Sequence, residues 1–175
     1  MAAIRFLAGF FCFAVIGSNW GFSSHIIKKE ESGYEKVIEI ARSQIGIRET
    51  NCENCGIAVK GYLDHCGIKS PAPYCAAFVS WCFGKAGYPQ PRTAWSPGLF
   101  PASRLVTTAK PGIVYGLYFP TLKRIAHCGL VESVRNDLIY GLEGNTSLAG
   151  SREGDGVYRK IRHKRSIYRY ADWFK

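Results

Sequence analysis

PYCAAFVSWC, residues 73–82, sets two cysteines in a run with almost no polar residue. Proline is tolerated in a first helical turn, and Tyr74 to Phe83 is apolar on nearly every side, with Gly84 and Gly87 near its end. Such a run reads as a helix buried over most of its surface. Its expected start near Pro73 places Cys75 in the first turn. Unpaired backbone N–H groups and the helix dipole favour a thiolate there. Cys82 lies two turns deeper, where burial disfavours the charge. Free cysteine is also among the most buried residue types. Position alone therefore leaves Cys75 as either a nucleophile or a core residue.

Outward from that helix, the N-terminal half reads helical. Ser32-Gly33-Tyr34-Glu35 has the form of a capping box, and Val37, Ile38, Ala41 and Ile45 follow at helical spacing up to Gly46. A shorter helix is expected over about residues 56–65, ending before Gly67. Residues 88–110, rich in Pro, Ser and Thr, read as a long crossing segment. The second half alternates as strands do: Ile113 to Phe119, Ile125 to Val134, Leu138 to Leu142 and Val157 to Ile161. Helices followed by an antiparallel sheet make an α+β fold.

The 175 residues suit one compact domain, and 47% hydrophobic with 21% charged residues is ordinary for a globular chain. Residues 1–24 differ from the rest. Arg5 precedes the apolar run FLAGFFCFAVI, which is short for a membrane span and fits a secretory signal peptide, with Val15 and Gly17 near a cleavage site. An uncleaved membrane anchor is the alternative. Export permits disulfides among Cys52, Cys55, Cys66, Cys75, Cys82 and Cys128. If one of the six is a catalytic thiol, at least one other stays unpaired. A bridge from Cys66 to Cys52 or Cys55 is expected. A metal at NCENC with His65 and Cys66 is the weaker reading, since no second C-x-x-C pair supports it.

The formal charge of +10 gathers late, at Arg159, Lys160, Arg162, Lys164, Arg165 and Arg169. It favours either an anionic partner, such as a cell-wall polymer, or simply a solvated basic strand face. No nucleic-acid-binding motif accompanies it, so nucleic acid is not the expected partner.

A cysteine nucleophile needs a base. Of the four histidines, His25 lies near the leader, His65 in the cysteine-rich loop and His163 in the basic run. His127 lies inside a strand, on the face opposite Cys128, and Gly129 beside it leaves room for another group. A hairpin with the three-residue loop Arg135-Asn136-Asp137 would pair Val134 with Leu138 and His127 with Asn145. Glu143 would then sit one diagonal step away on the same face. Either side chain can accept from the imidazole and fix its tautomer. A slip of one residue would turn both away.

With these residues in view, PYCAAFVSWC, IAHCGLVE and LEGNTS together resemble the CHAP family, cysteine- and histidine-dependent amidohydrolases and peptidases beside the NlpC-type enzymes of the papain-like superfamily. The resemblance spans about residues 34–173 and implies one catalytic domain over 25–175. It implies helices packed on a small antiparallel sheet, with Cys75 as nucleophile, His127 as base, Glu143 as third residue and Asn145 as a further polar member. Glu49, in QIGIRE, and Tyr74, standing where relatives often carry Trp, become candidate substrate contacts. Cys128 stands where Val is common, and Cys52, Cys55 and Cys66 lie outside the family pattern.

The activity implied is hydrolysis of amide bonds in bacterial peptidoglycan by a monomer that needs no metal or organic cofactor. Trp95, with the Ser96-Pro97 loop, is a candidate wall of the cleft; packing beneath a long loop is its other reading. The rivals are a papain-like transferase, deamidase or toxin on the same fold, and a non-catalytic wall-binding module.

Overall fold

A computed structural model describes residues 33–149 and 154–175. The leader and Ser32 of the expected capping box lie outside the described residues. Helix α1 covers residues 33–42 and buries Val37, Ile38 and Ala41 completely or nearly so. Burial of the Val and Ile side chains contributes about 1.5–3 kcal/mol each. The helix ends earlier than the spacing suggests. Residues 43–46 form turns, Gly46 takes a left-handed φ of 91°, and its N–H donates to the Val157 carbonyl. Ile45 therefore leaves the buried stripe and stands exposed.

Helix α2, Ile57–His65, buries Val59, Tyr62 and Leu63, and Gly67 beyond it is left-handed, as expected of a stop. Helix α3 is Cys75–Ala86. It starts two residues later than Pro73 suggests, because Tyr74 has non-helical dihedrals and serves as N-cap, its carbonyl accepting from Phe78 N–H. Cys75 is thus the first helical residue. Nearly every α3 side chain is buried, and Gly87 closes the helix in the left-handed conformation.

Among the described residues, six strands form one antiparallel sheet: β1 (Leu105–Val106), β2 (Val114–Phe119), β3 (Arg124–Arg135), β4 (Leu138–Thr146), β5 (Gly156–His163) and β6 (Arg169–Ala171), in the order β1-β6-β2-β3-β4-β5. The short strands β1 and β6 escape sequence reading, having too few residues to show alternation. One sheet face packs on α3 through Val114, Cys128, Leu130 and Leu142; the other holds Ile113, Tyr115, Val131 and Ile139. Gly144 lets β4 approach α3 closely, since a Cβ there would lie 2.7 Å from Phe78 Cβ.

The β3–β4 hairpin corrects the expected loop. Arg135 pairs with Leu138 across a two-residue turn, with Asn136 left-handed. An irregularity between Val131 and Ser133 then inserts Glu132 as an extra residue, so that Val131 meets Gly141 and Leu130 meets Leu142. Those are the pairs a three-residue loop would have produced. The bulge undoes the shift before the strand reaches His127.

The expected bridge to Cys66 is not formed. Cys52 is bonded to Cys55, and Cys66 is free. Their bond leaves neither of those thiolates for a metal.

Candidate active site

Three elements converge on Cys75. Helix α3 presents the thiol at its N-terminus, β3 carries His127 and β4 carries Glu143. His127 Nε2 donates to Glu143 Oε2 over 2.7 Å. Glu143 is fully buried and also accepts from Tyr115 Oη at 2.5 Å, and from Arg162 Nε and Nη2 at 2.8 and 2.7 Å. A carboxylate offers about four acceptor positions, and here four donors meet it. The space for this comes from glycine. A Cβ at Gly129 would lie 2.7 Å from both Glu143 Cγ and Tyr115 Oη, and one at Gly141 would collide with the same hydroxyl.

The charges follow from that network. Burial raises the Glu143 carboxyl, but Arg162 and His127 outweigh it and hold the group below the usual carboxylate range. Burial alone would lower His127. Cys75 and Glu143 overcome it and push the imidazole up to about 10. The Cys75 thiol lies well below its ordinary value; a hydrogen bond from the Cys128 thiol contributes most, burial opposes it, and His127 and the Ser96 hydroxyl add to the lowering. Ser96 Oγ lies 3.3 Å from Cys75 Sγ. Cys128 is raised by burial and by Cys75, so it stays a thiol and a donor. Cys82 is raised by burial, as its depth in α3 predicts. These directions favour a thiolate–imidazolium pair beside an ionised glutamate.

Asn145 does not join it. The residue turns left-handed at φ 53°, and its amide donates to Asn54 Oδ1 at 2.5 Å. Of the two groups expected to orient the imidazole, Glu143 takes the place. Tyr74 is also corrected: it is fully buried, its ring 6.0 Å from that of Tyr62, so substrate cannot reach it. As the N-cap residue of α3, it directly precedes Cys75. Glu49 Oε2 accepts from Asn54 N–H at 2.6 Å, while Oε1 is buried with no hydrogen-bond partner among the described residues. Trp95 is 61% exposed, next in sequence to Ser96. That exposure removes the packing alternative.

Sequence reading missed Tyr115, Ser96 as a contact of the thiol, and above all Arg162. The basic run is only partly a solvated face. Arg162 holds Glu143, Arg159 pairs with the largely buried Glu132 at 2.5 Å, and Lys160 Nζ donates to the Ser147 and Leu148 carbonyls. Tyr158, Lys160 and Arg162 alternate on β5, and that was the available signal. Reading it needed the β4–β5 register, in which Glu143 faces Tyr158.

Comparison with solved structures agrees with this architecture. The P60 domain of an antigen from M. avium subspecies paratuberculosis superposes with a TM-score of 0.54 at 17% identity, over 84% of this chain and 98% of that one. The chain has the papain-like α+β fold. The peptidoglycan hydrolase RipB from Mycobacterium tuberculosis matches with a TM-score of 0.52 at 21% identity, over 90% of this chain and 72% of that one. No protein-family profile matches the chain, and no curated protein matches it significantly. Among the described residues, no helix is long and apolar enough to cross a membrane.

Proposed function

We propose that this protein is an exported cysteine hydrolase that cleaves amide bonds in bacterial peptidoglycan. The observation that carries the reading is the line Cys75–His127–Glu143, with a lowered thiol at the helix start and a raised imidazole bound to a buried carboxylate. A wall-binding module has no need of such a line. The papain-like fold, shared with a hydrolase that acts on peptidoglycan, supports the substrate class. Within that superfamily, the motifs around Cys75 and His127 support placement with the CHAP enzymes. The leader-like residues 1–24 support export, and the exposed part of the basic run supports contact with an anionic wall polymer.

In the mechanism, Cys75 Sγ attacks the amide carbonyl carbon as thiolate. The oxyanion is met by backbone N–H at the start of α3, that of Cys75 itself. His127, already protonated, gives its proton to the leaving nitrogen as the C–N bond breaks, leaving a thioester. His127 then takes a proton from water, which attacks the thioester. The acid departs, and the thiolate–imidazolium pair is restored. Glu143 holds the ring and stabilises its charge without itself being protonated. Trp95, exposed beside Ser96, forms a wall for the bound chain.

The test is digestion of purified peptidoglycan by the protein and by Cys75→Ala, with products identified by mass spectrometry. Soluble fragments from the first alone are expected, and their masses name the bond. No fragments from the folded, reduced protein would overturn the reading and turn the search to protein substrates.

A further inference from the structure

The disulfide loop and α2 line a half-open cavity of about 390 Å³ that the mechanism does not use. Leu63, Ile68 and Pro71 give it apolar walls, and Asn54, Lys60 and Lys69 line it as well. Both lysines pair with Asp64, which is not among the lining residues. Two cations on one carboxylate leave the Lys60–Asp64–Lys69 cluster with a net positive charge. The same end of α2 adds to it, since Gly56 caps the helix without a side-chain bond and no acidic residue stands in the first turn.

The cavity is joined to the catalytic elements at both ends. Asn54 accepts from Asn145, two residues past Glu143 on the same chain, and donates its N–H to Glu49. Pro71 is four residues before Cys75, so the wall lies within about 14 Å of the nucleophile along the chain. An extended peptide advances about 3.3 Å per residue. The separation between that wall and Cys75 is thus at most about that of four extended residues.

We propose that this cavity is a substrate subsite that takes a free carboxylate on the peptide part of the substrate, with small apolar groups against Leu63, Ile68 and Pro71 and the carboxylate at Lys60 and Lys69. It rests on the hydrolase reading for its substrate, and it makes the 50–57 loop a determinant of specificity. The loop's disulfide and the two lysines then serve one purpose, holding a cationic rim at a fixed distance from Cys75.

The test uses soluble disaccharide–peptide fragments of peptidoglycan, with their peptide carboxylates free or converted to amides. For the free acids, the double variant Lys60→Gln, Lys69→Gln is expected to raise KM roughly tenfold with little change in kcat. For the amidated fragments, wild type and variant should agree. Ser70→Trp, which fills the cavity from its rim, should raise KM for both, while alkylation of Cys75 by iodoacetamide proceeds at the wild-type rate and shows the fold intact. Equal KM values for wild type and double variant on the free acids would overturn the subsite. Titration of isotope-labelled Cys75→Ala with the free-acid fragments separates the two readings. Shifts at residues 54–60 and 68–71 without cleavage by wild type would keep the subsite and remove the hydrolase. Cleavage without those shifts would do the reverse.

Discussion

Arg162 grips both oxygens of Glu143 from β5, at 2.8 and 2.7 Å, while His127 binds the same carboxylate from β3. The carboxylate is thus held at once from the two strands that flank its own. Without the arginine, a fully buried carboxylate would face its imidazole with far less compensation.

Arg162→Met should therefore damage both stability and activity. Removing one partner of a buried pair typically costs about 3 kcal/mol or more. Denaturant titration should show that loss, and the thiol of Cys75 should need a higher pH to react. Arg162→Lys should recover only part of either, because one ammonium cannot span both oxygens. A wild-type midpoint for Arg162→Met would show that Tyr115 and His127 suffice.

Glu143→Gln keeps the shape and removes the charge. The imidazole loses one of the two groups that raise it, and turnover should fall by roughly 10²-fold or more. Asn145→Ala should fall far less, since its amide serves Asn54 rather than the ring. Steady-state rates of the two variants on the same substrate would rank them; equal losses would place Asn145 in the catalytic line.

The pH dependence has a definite sign. Cys75 is lowered and His127 is raised to about 10, so the reactive ion pair spans neutral pH and is lost as His127 deprotonates. Iodoacetamide should modify Cys75 at about pH 6, where an ordinary thiol near 8.5 is almost wholly protonated, and should spare Cys82 and Cys128. Stability follows the same groups. The part due to His127 is complete below its unfolded value near 6.5 and fades as pH rises through its folded value. The part due to Glu143 is present above about 4.3 and fades as pH falls toward its lowered folded value. Modification of Cys75 only above about pH 8 would refute the ion pair.

Gly141→Ala should expel Tyr115 from the carboxylate, because the added methyl would collide with the tyrosine hydroxyl. Overpacking of this kind costs about 1–3 kcal/mol. Combining it with Tyr115→Phe, which removes the nearest atom but leaves two ring carbons 2.7 Å from the added methyl, should restore only part of the stability and none of the hydrogen bond to Glu143. Thermal melts of the single and double variants would check this, and a neutral Gly141→Ala would sink it.

Much of this was legible in the residues alone. The buried helix announced itself through its lack of a polar face, and that placed Cys75 at a helix start and Cys82 in its depth. The strands from Ile113 to Ile161 showed through alternation. His127 and Glu143 came out together although the loop between them was misjudged, because the Glu132 bulge restored the register further along. Chance helped there, since bulges leave no mark that a two-residue period reveals. Arg162 stayed hidden because side chains from β5 reach β4 through a register that the connection between them conceals. Asn145 misled because a strand was assumed to stay straight where the backbone turns left-handed. Cys66 misled because its two candidate partners, Cys52 and Cys55, bond to each other.

The sheet closes in an order that the chain does not follow. Strand β6 lies between β1 and β2, so β2, the neighbour of the strand that bears His127, has no second partner until Arg169–Ala171 have been synthesised. Pairing across such long stretches is slow compared with local helix formation. The sheet is therefore completed late, after translation has passed Cys75, His127 and Glu143, and a nascent chain carries all three well before the strand that seals the far side of β2.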